Sequence, residues 1–197
     1  MFSGEIHQRI SLMRSDLVQI SGNYFELEEK SEEGSAHLTV HVKNPSILFC
    51  DLENKKLGYF LNQKCADYVI FEKRENGWFI HIIELKRTIK EKTWESIKEQ
   101  FAGAIQNVFA LAGVLGIEID MSHIRLYSAY RNDKINDYSN PVRLRMGMQA
   151  HKNRVAVDDN DWKADKITVD FLGRNLYVHS KIRLNIETGE GNSGLKD

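Results

Sequence analysis

The stretch Asp67-Tyr-Val-Ile-Phe-Glu72, Lys73-Arg-Glu-Asn-Gly77, Trp78-Phe-Ile-His-Ile-Ile-Glu-Leu-Lys86 decides how the chain folds. Two runs of β-branched and aromatic residues flank an Asn-Gly pair, the pair favoured in tight hairpin turns. The segment therefore reads as a β-hairpin. Side chains alternate along a strand, so Ile80, Ile82, Glu84 and Lys86 share one face, and His81, Ile83 and Leu85 take the other. Counted back from the turn, Asp67 lies at the same end of the hairpin as Glu84 and Lys86. Two carboxylates and an ammonium converge at one end of a very apolar strand pair. Charge placed there is costly unless it is paired or bound to metal.

Working outward, Trp94, Ile97, Phe101, Ala104, Val108, Leu111 and Leu115 hold a 3-4 spacing that predicts a helix over Thr93–Leu115. Gly116 stands where a helix cap would. His123–Tyr130 reads as a strand close behind the helix, which favours a strand–helix–strand crossover within one sheet. Ile6, Ile10, Met13 and Leu17 predict an amphipathic helix within Phe2–Ile20. Short strands are expected at Tyr24–Glu29, His37–Val42, Ser46–Leu52 and Leu57–Asn62, and again at Ile167–Leu172 and Tyr177–Ile186. The Gly-rich tail 189–197 reads as a frayed end. The expected class is α/β (α+β): a mixed central sheet of about four core strands flanked by helices. The core spans about 46–130, with extra N- and C-terminal strands, in a single domain over 1–197.

Composition narrows the function classes. The chain has 197 residues, 42% hydrophobic and 28% charged, enough for a core without disulfides or a structural metal. With 27 basic and 28 acidic residues it does not grip nucleic acid by bulk charge. A local patch is another matter: between His123 and Arg154 it carries seven Lys or Arg against two Asp. Arg131, Lys134, Arg143 and Arg145, within the basic segment 125–154, are the candidate phosphate contacts. Cys50 and Cys65 are too few for a thiolate zinc site or a disulfide scaffold, and read as reduced, buried thiols of a cytoplasmic protein. The start of the chain lacks the apolar core of an export signal. The apolar stretch Phe101–Ile117 is short and polar for a membrane span. The seven His residues show no zinc spacing, and serine nucleophile elbows and phosphate-binding glycine loops are absent.

The converging charges carry chemistry of their own. Carboxylates are the hard oxygen ligands that Mg²⁺ takes, with waters completing its shell. Such a cation activates water and neutralises phosphate charge, and a nearby lysine can orient that water or stabilise a developing anion. Glu-x-Lys occurs at Glu28, Glu53 and Glu84, but only the last ends an apolar strand, follows a hairpin-linked Asp and precedes an amphipathic helix.

This arrangement resembles the PD-(D/E)XK nuclease superfamily, with its restriction-endonuclease-like core. The resemblance rests on Lys64-Cys-Ala-Asp67-Tyr-Val-Ile70 and Phe79-Ile-His-Ile-Ile-Glu-Leu-Lys86, with the helix and strand that follow, and covers roughly residues 46–130. It implies Mg²⁺ or Mn²⁺ as cofactor, Asp67 and Glu84 as metal ligands and Lys86 as the catalytic lysine. Gln100 matches the glutamine that many members place on the following helix. Ala66 replaces the proline that gives the motif its first letter. Glu5 is a candidate for the acidic residue that some members supply from the first helix. The implied activity is a DNA endonuclease in antiviral defence or DNA processing, with nucleic acid as partner and no membrane. It could work as a homodimer or as a subunit of a defence complex. The alternative is a non-catalytic module that keeps the fold and binds nucleic acid or protein.

Overall fold

The structure is a computed structural model that describes residues 2–31, 34–53, 60–135 and 162–195. Helix α1 (Gly4–Ser11) leads into β1 (Val18–Ser21), β2 (Tyr24–Ser31), β3 (Gly34–His41) and β4 (Ser46–Cys50). The hairpin follows as β5 (Tyr68–Arg74) and β6 (Gly77–Ile89), then α2 (Glu91–Leu115) and β7 (Ile124–Asp133). The chain closes with β8 (Lys166–Asp170), β9 (Arg174–Arg183) and β10 (Glu190–Gly194).

Seven strands form one sheet in the order β1-β4-β5-β6-β7-β9-β8. Strands β4, β5 and β6 run antiparallel, and β6, β7 and β9 run parallel. A parallel neighbour needs a crossover, and α2 supplies it between β6 and β7. Strands β10, β3 and β2 form a second sheet. The expectation of about four core strands is thus too small, because strands outside the hairpin unit extend the sheet on both sides.

Both faces of the large sheet are buried, each by a different partner. On one face Ile80, Ile82, Val69, Phe71 and Leu126 pack with Ile97, Phe101, Ala104 and Val108 of α2, and Ile6 and Ile10 of α1 lie against the same cluster. On the other face Ile70, Ile83, Leu85 and Tyr127 pack against Phe25, Leu27, Leu38 and Val40 of the small sheet. Among the described residues, helices therefore flank one face only. Burial on two sides is why β6 reads as a nearly unbroken apolar run.

Several boundaries move. The loop of the hairpin is Glu75-Asn76, with Arg74 opposite Gly77, so the Asn-Gly pair sits one place later in the turn than expected. Gly77 has φ +129°, which explains a glycine there. The N-terminal helix stops at Ser11, and Val18–Ser21 pairs with β4 instead. The expected strand Leu57–Asn62 falls partly outside the described residues, and its part at 60–62 is not a strand. The tail is not frayed through 190–194: it runs parallel to β3, with Glu190 opposite His37 and Gly194 opposite His41. Backbone pairing supplies what its side chains cannot. Cys50 and Cys65 are both unpaired, Cys65 buried and Cys50 half-buried. No helix among the described residues is long and apolar enough to cross a membrane.

Helix α2 ends as expected, with Gly116 at φ +67° and the Ile117 N–H donating to the Ala112 carbonyl at 2.9 Å. Its middle carries a less visible constraint. A Cβ built on Gly103 would stand 1.7 Å from the Lys64 carbonyl oxygen. Only glycine lets the chain entering β5 lie this close to the helix. Gly113, on the exposed side of the same helix, has nothing within 4 Å of such a Cβ. Gly103→Ala is therefore expected to destabilise by about 1–3 kcal/mol through overpacking. Gly113→Ala is expected to stabilise by up to about 1 kcal/mol through helix propensity. Urea unfolding of the two variants checks both signs; equal midpoints would contradict the close approach.

Candidate functional site

The site begins with the register of the hairpin. Tyr68 stands opposite Ile83, which sets Asp67 opposite Glu84 at the end of β5. Their main chains and carboxylates are interlocked. The Asp67 N–H donates to Glu84 Oε2 at 3.2 Å, and the Leu85 N–H donates to Asp67 Oδ2 at 2.8 Å. Beyond Asp67, among the described residues β6 runs on beside β7 alone, and Lys86 lies on this extension opposite Tyr130. Its ammonium lies 2.5 Å from Glu84 Oε1. The three residues expected to converge do so.

Glu84 has no exposed surface. Burial, and after it the neighbouring Asp67 charge, push its carboxyl up to about 8, against the pull of Lys86. Asp67 is also raised, by burial first, with Lys86 opposing. Burial works to lower the Lys86 pKa, but Glu84, Asp67 and Glu29 outweigh it and hold the ammonium above its ordinary value. Lys86 is thus a fixed positive charge, not a neutral base.

A third carboxylate completes the cluster, and it is not one the sequence suggested. Glu29 of β2 places Oε1 at 3.6 Å from Lys86 Nζ. It arrives from the small sheet, 55 positions from Glu84, with no motif linking them. A signal did exist: Phe25 and Leu27 are buried core residues, and Glu29 continues their row on the same face of β2. Glu5, the earlier candidate, is elsewhere. It is exposed and pairs with Arg9 at 2.7 Å, and Arg9 donates to the Val114 carbonyl. Val114 lies about 21 Å along α2 from Gln100.

Gln100 is buried, and its Nε2 donates to the Cys65 carbonyl at 3.4 Å. It holds the main chain two residues before Asp67, and Gly103 seats the same segment. The candidate phosphate contacts fare differently. Arg131 donates to the carbonyls of Ser35, Ile186 and Glu187, tying β3 to the turn before β10. Lys134 is exposed. Arg143 and Arg145 lie outside the described residues.

Of the remaining polar core groups, two belong to the framework. His81, on the face away from Glu84, bridges Glu72 and Tyr127 at 3.2 and 3.1 Å. Burial works to raise the Glu72 pKa, but hydrogen bonds from His81, Asn44 and Arg74 outweigh it and hold the carboxyl at about 2. On the helix-facing side, Ser128 stands opposite Glu84 on β7 and contacts buried His179 at 3.0 Å. Burial lowers His179 to about 3.

The donor set can be tested against a cation. Among the described residues no cluster of three or more Asp, Glu, His or Cys forms a ready-made cage. Two carboxylates with open positions suit Mg²⁺ or Mn²⁺, which keep waters and share substrate phosphates. Buried Glu84 Oε1 is met at 2.5 Å by the Lys86 ammonium, and Glu84 Oε2 by the Asp67 N–H. The residues therefore fit a divalent cation held by Asp67 and Glu84.

A stability consequence follows from Glu84. Its folded pKa lies above its ordinary 4.5, so the folded state favours the protonated form. That contribution is complete below about 4.5 and is lost as pH rises through about 8. In chelator, Glu84→Gln should match wild type near pH 4.5 and exceed it by on the order of a few kcal/mol above pH 8. Parallel pH–stability curves would contradict this. Compared with known proteins, the chain matches no family model, no curated protein and no solved structure, so what the site can do follows from its own residues.

Proposed function

We propose that the chain is a Mg²⁺- or Mn²⁺-dependent nuclease of the PD-(D/E)XK type, hydrolysing phosphodiester bonds in DNA as an endonuclease. One observation carries the reading. A carboxylate with no exposed surface faces a second carboxylate across a strand pair, with a lysine against it, at the open end of β5. Nothing in packing calls for two like charges in that position; a cation between them and a phosphate does. The order Asp67, hairpin, Glu84-x-Lys86, helix, parallel strand supports the same reading.

Asp67 and Glu84 would hold a divalent cation, which would supply positive charge and acidify a water. Lys86, held protonated, offsets negative charge that grows on the phosphoryl oxygens as the bond breaks. The reciprocal main-chain hydrogen bonds fix both carboxylates before substrate arrives, which removes reorganisation from the reaction. Gln100 and Gly103 hold the segment that carries Asp67. The phosphate backbone is to be met by the basic segment, with Arg131, Lys134, Arg143 and Arg145 as its candidate contacts.

The test is cleavage of supercoiled plasmid, linear duplex, single-stranded DNA and RNA with Mg²⁺, with Mn²⁺ and with EDTA. Wild type should cut DNA with metal and not with EDTA. Glu84→Ala and Lys86→Ala should each lower the rate by about 100-fold or more while remaining folded. Full activity in Lys86→Ala would sink the mechanism. Metal binding without cleavage of any substrate would favour the binding-module alternative.

A further inference from the structure

We propose that Glu29 is the positioning residue for Lys86, the second counter-anion that keeps the ammonium in place once Glu84 engages a cation. The inference rests on the nuclease reading above. Lys86 stands between two carboxylates from two different sheets, at 2.5 Å from Glu84 Oε1 and 3.6 Å from Glu29 Oε1. Glu84 could not give its charge fully to a cation and to the ammonium at once. A cation held by Asp67 and Glu84 would compete with Lys86 for the Glu84 charge and would weaken the nearer of the two pairs that hold the ammonium. Without a second carboxylate it would swing out to water. Glu29 holds it beside the site, where the phosphate arrives.

The fold takes care to put Glu29 there. Tyr68, the residue after Asp67, grips β2 at the residue before Glu29. Its hydroxyl donates to the Glu28 carbonyl at 2.8 Å and accepts from the Glu28 N–H at 3.0 Å. Phe25 and Leu27, buried on the same inward row, fix the strand's rotation. One dipeptide thus sets two distances: Asp67 meets Glu84, and Tyr68 places Glu29. Glu29 and Lys86 are both partly buried, so the ion pair is screened less than a surface pair.

The experiment is steady-state cleavage by Glu29→Gln, Lys86→Ala and the double variant, in saturating metal. Glu29→Gln should lower kcat at least tenfold with KM unchanged, as loss of an orienting partner does. In the Lys86→Ala background it should cost nothing further, because its effect runs through Lys86. Glu26→Gln, an exposed acid on the same strand, should leave kcat unchanged. An unchanged kcat in Glu29→Gln overturns the proposal, and so does an equal loss in both backgrounds. If wild type cuts no nucleic acid, the nuclease reading fails on its own. A urea-unfolding cycle of Glu29→Gln and Lys86→Met then decides: non-additive midpoints support the pairing, and additive ones overturn it.

Discussion

A carboxylate with no exposed surface is costly to ionise, and Glu84 is such a group with a second carboxylate facing it across the strand. Most of what surrounds the site answers that one constraint. Main-chain N–H groups of Asp67 and Leu85 satisfy one oxygen of each acid. Lys86 supplies the opposite charge, and Glu29 shares it. Burial and the Asp67 charge still raise the Glu84 pKa against the pull of Lys86, so the site holds opposed electrostatic demands. Tension of this kind is where active sites and stability part company.

The architecture around the hairpin then has a purpose at each face. Helix α2 covers the face that carries Asp67 and Glu84, and it does so closely because Gly103 admits the Lys64 carbonyl. The small sheet covers the other face with Phe25, Leu27, Leu38 and Val40. Its docking also brings Glu29 around to Lys86, at the place where β5 has ended and β6 continues. The C-terminal strand β10 pairs with β3, and Arg131 ties β3 to the turn before it. A segment and a residue that look expendable or functional from composition are thus part of the scaffold.

What could be read beforehand divides along physical lines. The hairpin, the helix after it and the parallel strand rest on local periodicity and turn chemistry, and they stand within a few residues of their expected places. Asp67, Glu84 and Lys86 meet because register within a hairpin is set by counting from its turn. The inward row Phe25, Leu27, Glu29 was legible, but the approach of Glu29 to Lys86 was not, because it depends on how two sheets dock, which no local pattern encodes. Gly103 was silent for the same reason: a helix-interior glycine signals a neighbour only once the neighbour is known. The tail misled because glycine-rich sequence has no side-chain signature for a strand that lives on main-chain pairing. The carbonyl contacts of Arg131 were not legible either, because charge alone does not show which main-chain oxygens an arginine meets.

The central claim is that Asp67 and Glu84 form one site for a hard divalent cation. Calorimetric titration of Mn²⁺ into the metal-free protein tests it without requiring a substrate. The expected result is saturable binding at one equivalent in wild type, abolished in both Asp67→Asn and Glu84→Gln, each of which remains folded. No binding in wild type, or binding that survives both substitutions, would contradict it.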